Sequence, residues 1–111
     1  MRKFHRIRGR RKLFVQTLVH NLIMKEKMQT TEARAKEVRP LVEKLVTIAK
    51  EQNLASLRRL LSKLPKKSAT KLYYDIAPKY QNRAGGYLRI LKTALRRKRD
   101  AAQQAVIEFV Q

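Results

Sequence analysis

The chain contains no cysteine, which removes a large set of chemistries. Disulfide bonds, thiolate metal sites and cysteine nucleophiles are excluded, and the composition is compatible with a reducing compartment. Hydrophobic runs are short as well, because none approaches the roughly 18 residues that a membrane-spanning helix needs. We therefore expect neither a disulfide framework nor a membrane partner.

Acidic residues are also scarce, with 8 Asp and Glu among 111 residues. They are scattered along the chain, and no pair is spaced as a catalytic acid and base. His5 and His20 are far apart and have no acidic or cysteine cluster that would complete a metal site. Neither a phosphate-binding glycine-rich motif nor a nucleophile elbow is present. The sequence therefore predicts that the protein is not an enzyme and has no metal, cofactor or small-molecule substrate.

Positive charge is abundant by contrast. The 28 Lys and Arg residues give a formal net charge of +20. A soluble domain with this much self-repulsion favours an anionic partner, which is usually nucleic acid or an acidic membrane. The hydrophobic fraction of 43% is enough for one modest core in a single domain.

The first twelve residues, MRKFHRIRGRRK, hold seven cations and no acid. This composition predicts a basic arm over residues 1–12, extended when free and ordered on RNA or DNA. A single globular α+β domain is expected over residues 13–111. An organelle transit peptide is disfavoured, because the segment has no serine and leads directly into a structured region.

Apolar spacing predicts four helices after the arm. The first spans residues 13–25, and the second runs from about 32 to 51 with Thr31 as its N-cap. Pro40 lies inside the second helix and predicts a kink there or a restart near Arg39.

The third and fourth predicted helices are shorter. Asn53 is expected to cap the third, which Pro65 ends. Ser68 is expected to cap the fourth, whose end Pro78 disrupts.

Two apolar runs with strand character close the chain, at 87–95 and 104–110. They predict a hairpin whose tip carries the consecutive cations Arg96–Arg99, although leucine spacing also allows a helix over 87–104. Residues 27–31 form either a short strand or a connector.

A double glycine precedes the hairpin, in the stretch Arg83-Ala84-Gly85-Gly86-Tyr87-Leu88-Arg89-Ile90-Leu91-Lys92. It predicts a turn in which one of the two glycines takes a positive φ, followed by a strand that carries cations on one face toward phosphate. Phe4 and Tyr87 are the aromatic residues considered for stacking on a base. Since aromatics are few, the charge fits recognition of shape and backbone better than recognition of bases.

This stretch resembles the RAGGYTRI(L/V)K signature of the bacterial large-subunit ribosomal protein family seventeen, with Leu88 in place of Thr. Three further segments are similar to that family in the same order. They are the basic start Met1-Arg2-Lys3, the helix start from Thr30 to Pro40 and the final strand from Ala105 to Val110.

The resemblance implies helices packed on a small antiparallel sheet that includes a C-terminal hairpin, with a basic N-terminal extension. It also implies that residues 27–31 are a strand paired with the hairpin. The function implied is that of a structural, non-enzymatic constituent of the large ribosomal subunit in the cytoplasm. Its partners would be large-subunit rRNA and neighbouring large-subunit proteins.

Candidate rRNA contacts come from two sources. The resemblance implies contacts at Arg2, Lys3, Arg6, Arg8, Arg83, Gly85, Gly86, Tyr87, Arg89 and Lys92. Charge alone adds His5, Arg10, Arg11 and Lys12 in the arm and Arg96, Arg97, Lys98 and Arg99 at the hairpin tip.

The alternative hypothesis is a nucleoid-type or regulatory DNA-binding protein. Such a protein needs a recognition helix that meets the major groove. The predicted cations concentrate in an arm and a loop instead of along one exposed helix, which disfavours this alternative.

Overall fold

The computed structural model describes residues 8–96 and 101–110. Within these residues, four α-helices pack on one three-stranded antiparallel sheet, which confirms the predicted α+β class. In chain order the elements are α1 (Arg8–Lys25), β1 (Lys27–Thr31), α2 (Glu32–Ala49), α3 (Leu54–Lys63), α4 (Lys66–Lys71), β2 (Leu88–Arg96) and β3 (Gln103–Phe109). A π-helical turn and a 3-10 turn extend α4 to Tyr80.

The sheet has the order β1–β3–β2, so the last strand of the chain lies in the middle. The predicted hairpin of β2 and β3 is confirmed, and the helical alternative for this segment is wrong. Residues 27–31 do form a strand paired with β3, with Lys27 opposite Glu108. A register shift between Lys92 and Arg96 interrupts the β2–β3 pairing near its open end.

Side-chain alternation along the sheet separates a core face from an open face. In β3, Ala105, Ile107 and Phe109 are buried against the helices. Arg89 lies opposite Glu108 and pairs with it on the open face, whereas Lys92 reaches Glu32 of α2. The prediction of a strand with its cations on one face is therefore wrong, because positions three residues apart in a strand point to opposite sides.

The core lies between the sheet and the helices. Its largest fully buried apolar side chains are Leu22, Ile23, Val38, Val42, Val46, Leu60, Leu72, Ile76, Leu88 and Ile107. Each stabilises the fold by about 1.5–3 kcal/mol relative to an exposed side chain. Residues from all four helices, from the two turns that follow α4 and from β2 and β3 belong to one buried cluster.

Two of the predicted helix caps are confirmed. The Thr31 side chain accepts a hydrogen bond from the Arg34 N–H at 3.3 Å. Asn53 accepts from the Ser56 N–H at 2.8 Å, and the Ser56 hydroxyl accepts from the Asn53 N–H at 3.3 Å. This reciprocal capping box fixes the start of α3.

The third predicted cap, Ser68, is wrong. The helix α4 begins at Lys66, and Pro65 before it is the N-cap residue, whose carbonyl accepts from the Ala69 N–H at 3.0 Å. Ser68 is fully buried in the first turns of α4, and its hydroxyl donates to the Pro65 carbonyl at 3.1 Å.

The predicted restart of the second helix near Arg39 is wrong, because α2 runs without interruption from Glu32 to Ala49. The other alternative, a kink at Pro40, stays a prediction. Pro40 is exposed, while Val38 and Val42 on either side of it are fully buried. Burial of this flanking apolar face holds the helix together across the missing N–H.

The first helix begins earlier than predicted. Residues 8–12 are helical and continue into the predicted segment at 13–25, so they are not extended. Arg and Lys are good helix formers, and adding turns to an existing helix avoids the cost of nucleation. The rest of the predicted arm, residues 1–7, lies outside the described residues.

Candidate nucleic-acid interface

The double glycine forms the turn that leads into β2. Gly85 has φ of 132° and Gly86 has φ of 64°, which confirms the predicted positive φ. The Arg83 Nε donates to the Gly85 carbonyl at 3.2 Å, so this exposed arginine lies over the turn. The turn therefore brings Arg83, Gly85 and Gly86 together at the surface.

Tyr87 anchors the turn to α2. Its N–H donates to Glu43 Oε2 at 3.0 Å, and its hydroxyl accepts from Lys50 Nζ at 2.9 Å. Lys50 Nζ lies 5.0 Å from the centre of the Tyr87 ring, and Tyr80 packs against the same ring with centroids 5.3 Å apart.

Burial changes what the Tyr87 side chain can do. Only 3% of the residue is exposed, so its ring is not available to stack on a base in this structure. The Tyr87 N–H donates to Glu43, so this amide is not free to donate to a phosphate. Phe4, the other stacking candidate, lies outside the described residues.

Arg89 is held by a carboxylate on the open face of the sheet. Its Nε and Nη2 both lie 2.6 Å from Glu108 Oε1, and Lys27 Nζ lies 3.8 Å from Oε2 of the same glutamate. Close charge-assisted contacts of this kind are among the stronger hydrogen bonds in proteins. A phosphate that contacts Arg89 must therefore compete with Glu108.

Lys92 is held in a similar way at the start of α2. Its Nζ lies 3.4 Å from Glu32 Oε1, and Lys36 Nζ lies 2.9 Å from the same oxygen. The hydrogen bond from Lys36 is the main cause that lowers the pKa of Glu32 below its usual value, and Lys92 adds to it. Desolvation opposes this shift.

Some of the remaining predicted contacts are among the described residues and the others are not. Arg8, Arg10, Arg11 and Lys12 occupy the first turns of α1, with Arg10 and Lys12 exposed. Arg96 is the last residue of β2. The others lie outside the described residues, namely Arg2, Lys3, His5, Arg6, Arg97, Lys98 and Arg99.

One group of cations was not among the predicted contacts. Arg58, Arg59, Lys63, Lys66 and Lys67 are all exposed on α3 and α4. A signal for them exists in the sequence, because no Asp or Glu occurs between Glu51 and Asp75.

The part of the chain that the structure describes contains no group of three or more His, Cys, Asp and Glu residues that could hold a metal ion. None of the helices in that part is long and apolar enough to span a membrane.

The fold and the exposed cations are those of a small, strongly basic α+β protein. A family model described as ribosomal protein L17 matches residues 14–110. The chain belongs to this family of ribosomal proteins.

Several relatives carry the name large ribosomal subunit protein bL17. That of Hydrogenobaculum sp. is 44% identical over 109 residues, covering 97% of this chain and 92% of the relative. That of Persephonella marina is 46% identical over 112 residues, covering 99% of this chain and 90% of the relative. That of Lactobacillus helveticus is 40% identical over 124 residues, covering 98% of each chain. The alternative hypothesis of a DNA-binding protein is not supported by these similarities.

Proposed function

We propose that this protein is a structural constituent of the large subunit of the cytoplasmic ribosome, that it binds large-subunit rRNA and that it performs no catalysis. The family and the names of the relatives support the subunit. The single observation that supports RNA binding is an excess of exposed cations. The protein exposes more Lys and Arg residues than its own carboxylates hold.

Charge neutralisation inside the protein is limited. The ion pairs between described residues involve Glu26, Glu32, Glu43 and Glu108. With a net charge of +20, many cations remain for an external anion. If six to ten of them neutralise phosphates, affinity should fall by about 10³–10⁵ between about 50 and 200 mM salt, through counterion release.

The residues proposed as contacts lie in the N-terminal segment, the glycine turn and the hairpin. Residues 1–12 would act as one RNA-binding unit next to the domain formed by residues 13–111, although residues 8–12 are helical. The proposed contacts are those predicted from the sequence except the buried Tyr87: Arg2, Lys3, His5, Arg6, Arg8, Arg10, Arg11, Lys12, Arg83, Gly85, Gly86, Arg89, Lys92, Arg96, Arg97, Lys98 and Arg99. Neighbouring large-subunit proteins are the other proposed partners.

Two arginines near the turn are expected to contribute differently. Arg83 donates to the neutral Gly85 carbonyl and can turn to a phosphate without breaking an ion pair. Arg89 has to leave Glu108 to do so. We therefore expect Arg83 to contribute more to rRNA affinity than Arg89. Tyr87 contributes by holding the turn in position rather than by stacking.

Co-sedimentation tests the proposed function. The tagged full chain, expressed in a bacterial host, is expected to sediment with intact large subunits through a gradient at moderate salt. Recovery only in the free soluble fractions would contradict the proposal.

The Arg83→Ala variant serves as a second test. It is expected to retain its unfolding midpoint and to bind deproteinised large-subunit rRNA with a salt slope shallower by about one unit. An unchanged slope would mean that the turn does not contact RNA, without affecting the assignment to the subunit.

A further inference from the structure

Exposed cations cover one side of α3 and α4, and we call this the α3–α4 surface. It consists of Arg58, Arg59, Lys63, Lys66 and Lys67. The other side of the same two helices is buried in the protein through Ser56, Leu60, Leu64, Ser68 and Ala69. The five cations are therefore exposed while other residues of the same two helices face the core.

Ion pairs are lacking at the α3–α4 surface in the described part of the chain, although Asp75 lines a shallow surface depression together with Lys67. Within the described residues, no carboxylate lies within 4.0 Å of any of them, whereas Lys71 at the end of α4 pairs with Glu26 at 3.6 Å. Arg59 and Lys63 are four residues apart in α3, and like charges at this spacing repel.

Lys66 and Lys67 occupy the first turn of α4, where the helix dipole disfavours cations. This position and the repulsion within α3 both destabilise the free protein. Lys63 has a compensating position in the last turn of α3, where the dipole favours a cation. The placement of Lys66 and Lys67 is not explained by folding, and an external anion would account for it.

The surface is also presented on a fixed backbone. The capping box of Asn53 and Ser56 fixes the start of α3, and buried Ser68 ties the first turns of α4 to Pro65. A preformed surface loses less conformational entropy when it binds.

A groove connects this surface to the start of α1. It has a volume of about 380 Å³ between α1, α2 and α3, and Lys12, Lys44 and Lys63 lie along it. Lys12 belongs to the N-terminal residues proposed above as rRNA contacts. Lys63 of the α3–α4 surface therefore lies on the same groove as a residue that is already proposed to face RNA.

We propose that the α3–α4 surface binds the sugar–phosphate backbone of large-subunit rRNA as a separate contact from the glycine turn. This inference rests on the proposed function. Lys and Arg without interleaved aromatics suit phosphate contact more than base recognition. Leu54 and Leu61 are exposed on α3, but single apolar side chains of this kind are common on protein surfaces.

The test compares two variants that each remove four positive charges. The surface variant carries Arg58→Gln, Arg59→Gln, Lys66→Gln and Lys67→Gln. The control variant carries Lys27→Gln, Lys36→Gln, Arg39→Gln and Lys79→Gln, which are exposed cations already paired with carboxylates. The dissociation constant for deproteinised large-subunit rRNA is measured at several salt concentrations, and thermal unfolding is recorded for each protein.

The surface variant is expected to bind about tenfold or more weakly, with a salt slope shallower by up to about 3 units, and to unfold no earlier than the wild type. The control is expected to change the slope by less than about one unit. Equal slopes for the surface variant and the wild type would overturn the inference, as would equal losses in both variants. Retained rRNA binding with lost binding to phosphatidylglycerol vesicles would assign the surface to a membrane and overturn it too.

Failure of the proposed function gives a different result. In that case the wild type itself shows no salt-dependent binding to rRNA. The inference fails alone when the wild type binds and the surface variant binds equally well.

Discussion

Exposed cations occur both on the sheet side, by which we mean Arg89 and Lys92 of β2 with their partners, and on the α3–α4 surface. The cations of the two regions have different neighbours. On the sheet side, Arg89 is held by Glu108 and Lys92 by Glu32. On α3 and α4, the five exposed cations have no carboxylate within 4.0 Å among the described residues. Charge type alone therefore does not identify a binding surface.

Lys and Arg therefore serve two different purposes in this protein. A cation held by a carboxylate fixes strands and turns, and it contributes little net charge to an external partner. An unpaired cation on a fixed helix weakens the free protein slightly and remains available to phosphate. Changes on the sheet side should therefore alter mainly stability, and changes on α3 and α4 should alter mainly RNA binding.

The largest effect on stability is expected from Glu43→Ala. This change leaves the N–H of buried Tyr87 without its acceptor and removes the 3.4 Å contact between Glu43 and Arg39. An unsatisfied buried donor costs about 1–3 kcal/mol, which is measured by denaturant unfolding. The exposed Glu51 is the control, because Glu51→Ala should change stability by less than about 0.5 kcal/mol. Equal losses in the two variants would show that the turn is not held by Glu43.

A smaller effect is expected from Glu108→Gln, which converts Arg89 from a paired cation to an unpaired one. Loss of the ion pair should cost about 1 kcal/mol of unfolding free energy, because Arg89 is largely exposed. The salt slope for rRNA should become steeper by up to about one unit. Glu51→Gln is the control, since it changes net charge equally. A steeper slope in the control as well would mean that only net charge matters.

The smallest effect concerns pH. The hydrogen bond from Lys36 lowers the pKa of Glu32 in the folded protein. The stabilisation is therefore present above the unfolded pKa of about 4.3 and is lost as pH falls through the lower folded value. The difference in unfolding midpoint between about pH 6 and about pH 3 should be smaller for Glu32→Gln than for the wild type. Identical differences would show that the contacts with Lys36 and Lys92 do not stabilise the fold.

Much of the fold was predictable because local signals agreed with one another. Apolar spacing gave the helices, and Thr31 and Asn53 gave two of their starts. The prediction that Ser68 is an N-cap was wrong because the sequence alone does not show whether a serine near a helix start caps the helix or is buried. The early start of α1 was missed because clustered cations suggested extension, although they also favour helix once it is nucleated.

The site was less predictable than the fold. The positive φ at the glycine turn follows from residue type alone. The burial of Tyr87 and the pairing of Arg89 with Glu108 depend on contacts between residues far apart in the chain. Charge counts along the sequence cannot show which cations meet a carboxylate after folding.

Lysine reactivity in wild-type protein tests the central claim most directly. The free chain and native large subunits that contain it are treated with an acetylating reagent, and each lysine is followed by mass spectrometry. We expect Lys63, Lys66 and Lys67 to become protected in the subunit and to regain reactivity after ribonuclease digestion. The paired Lys36 and Lys79 should change little. Full reactivity of Lys63, Lys66 and Lys67 in the intact subunit would contradict the account.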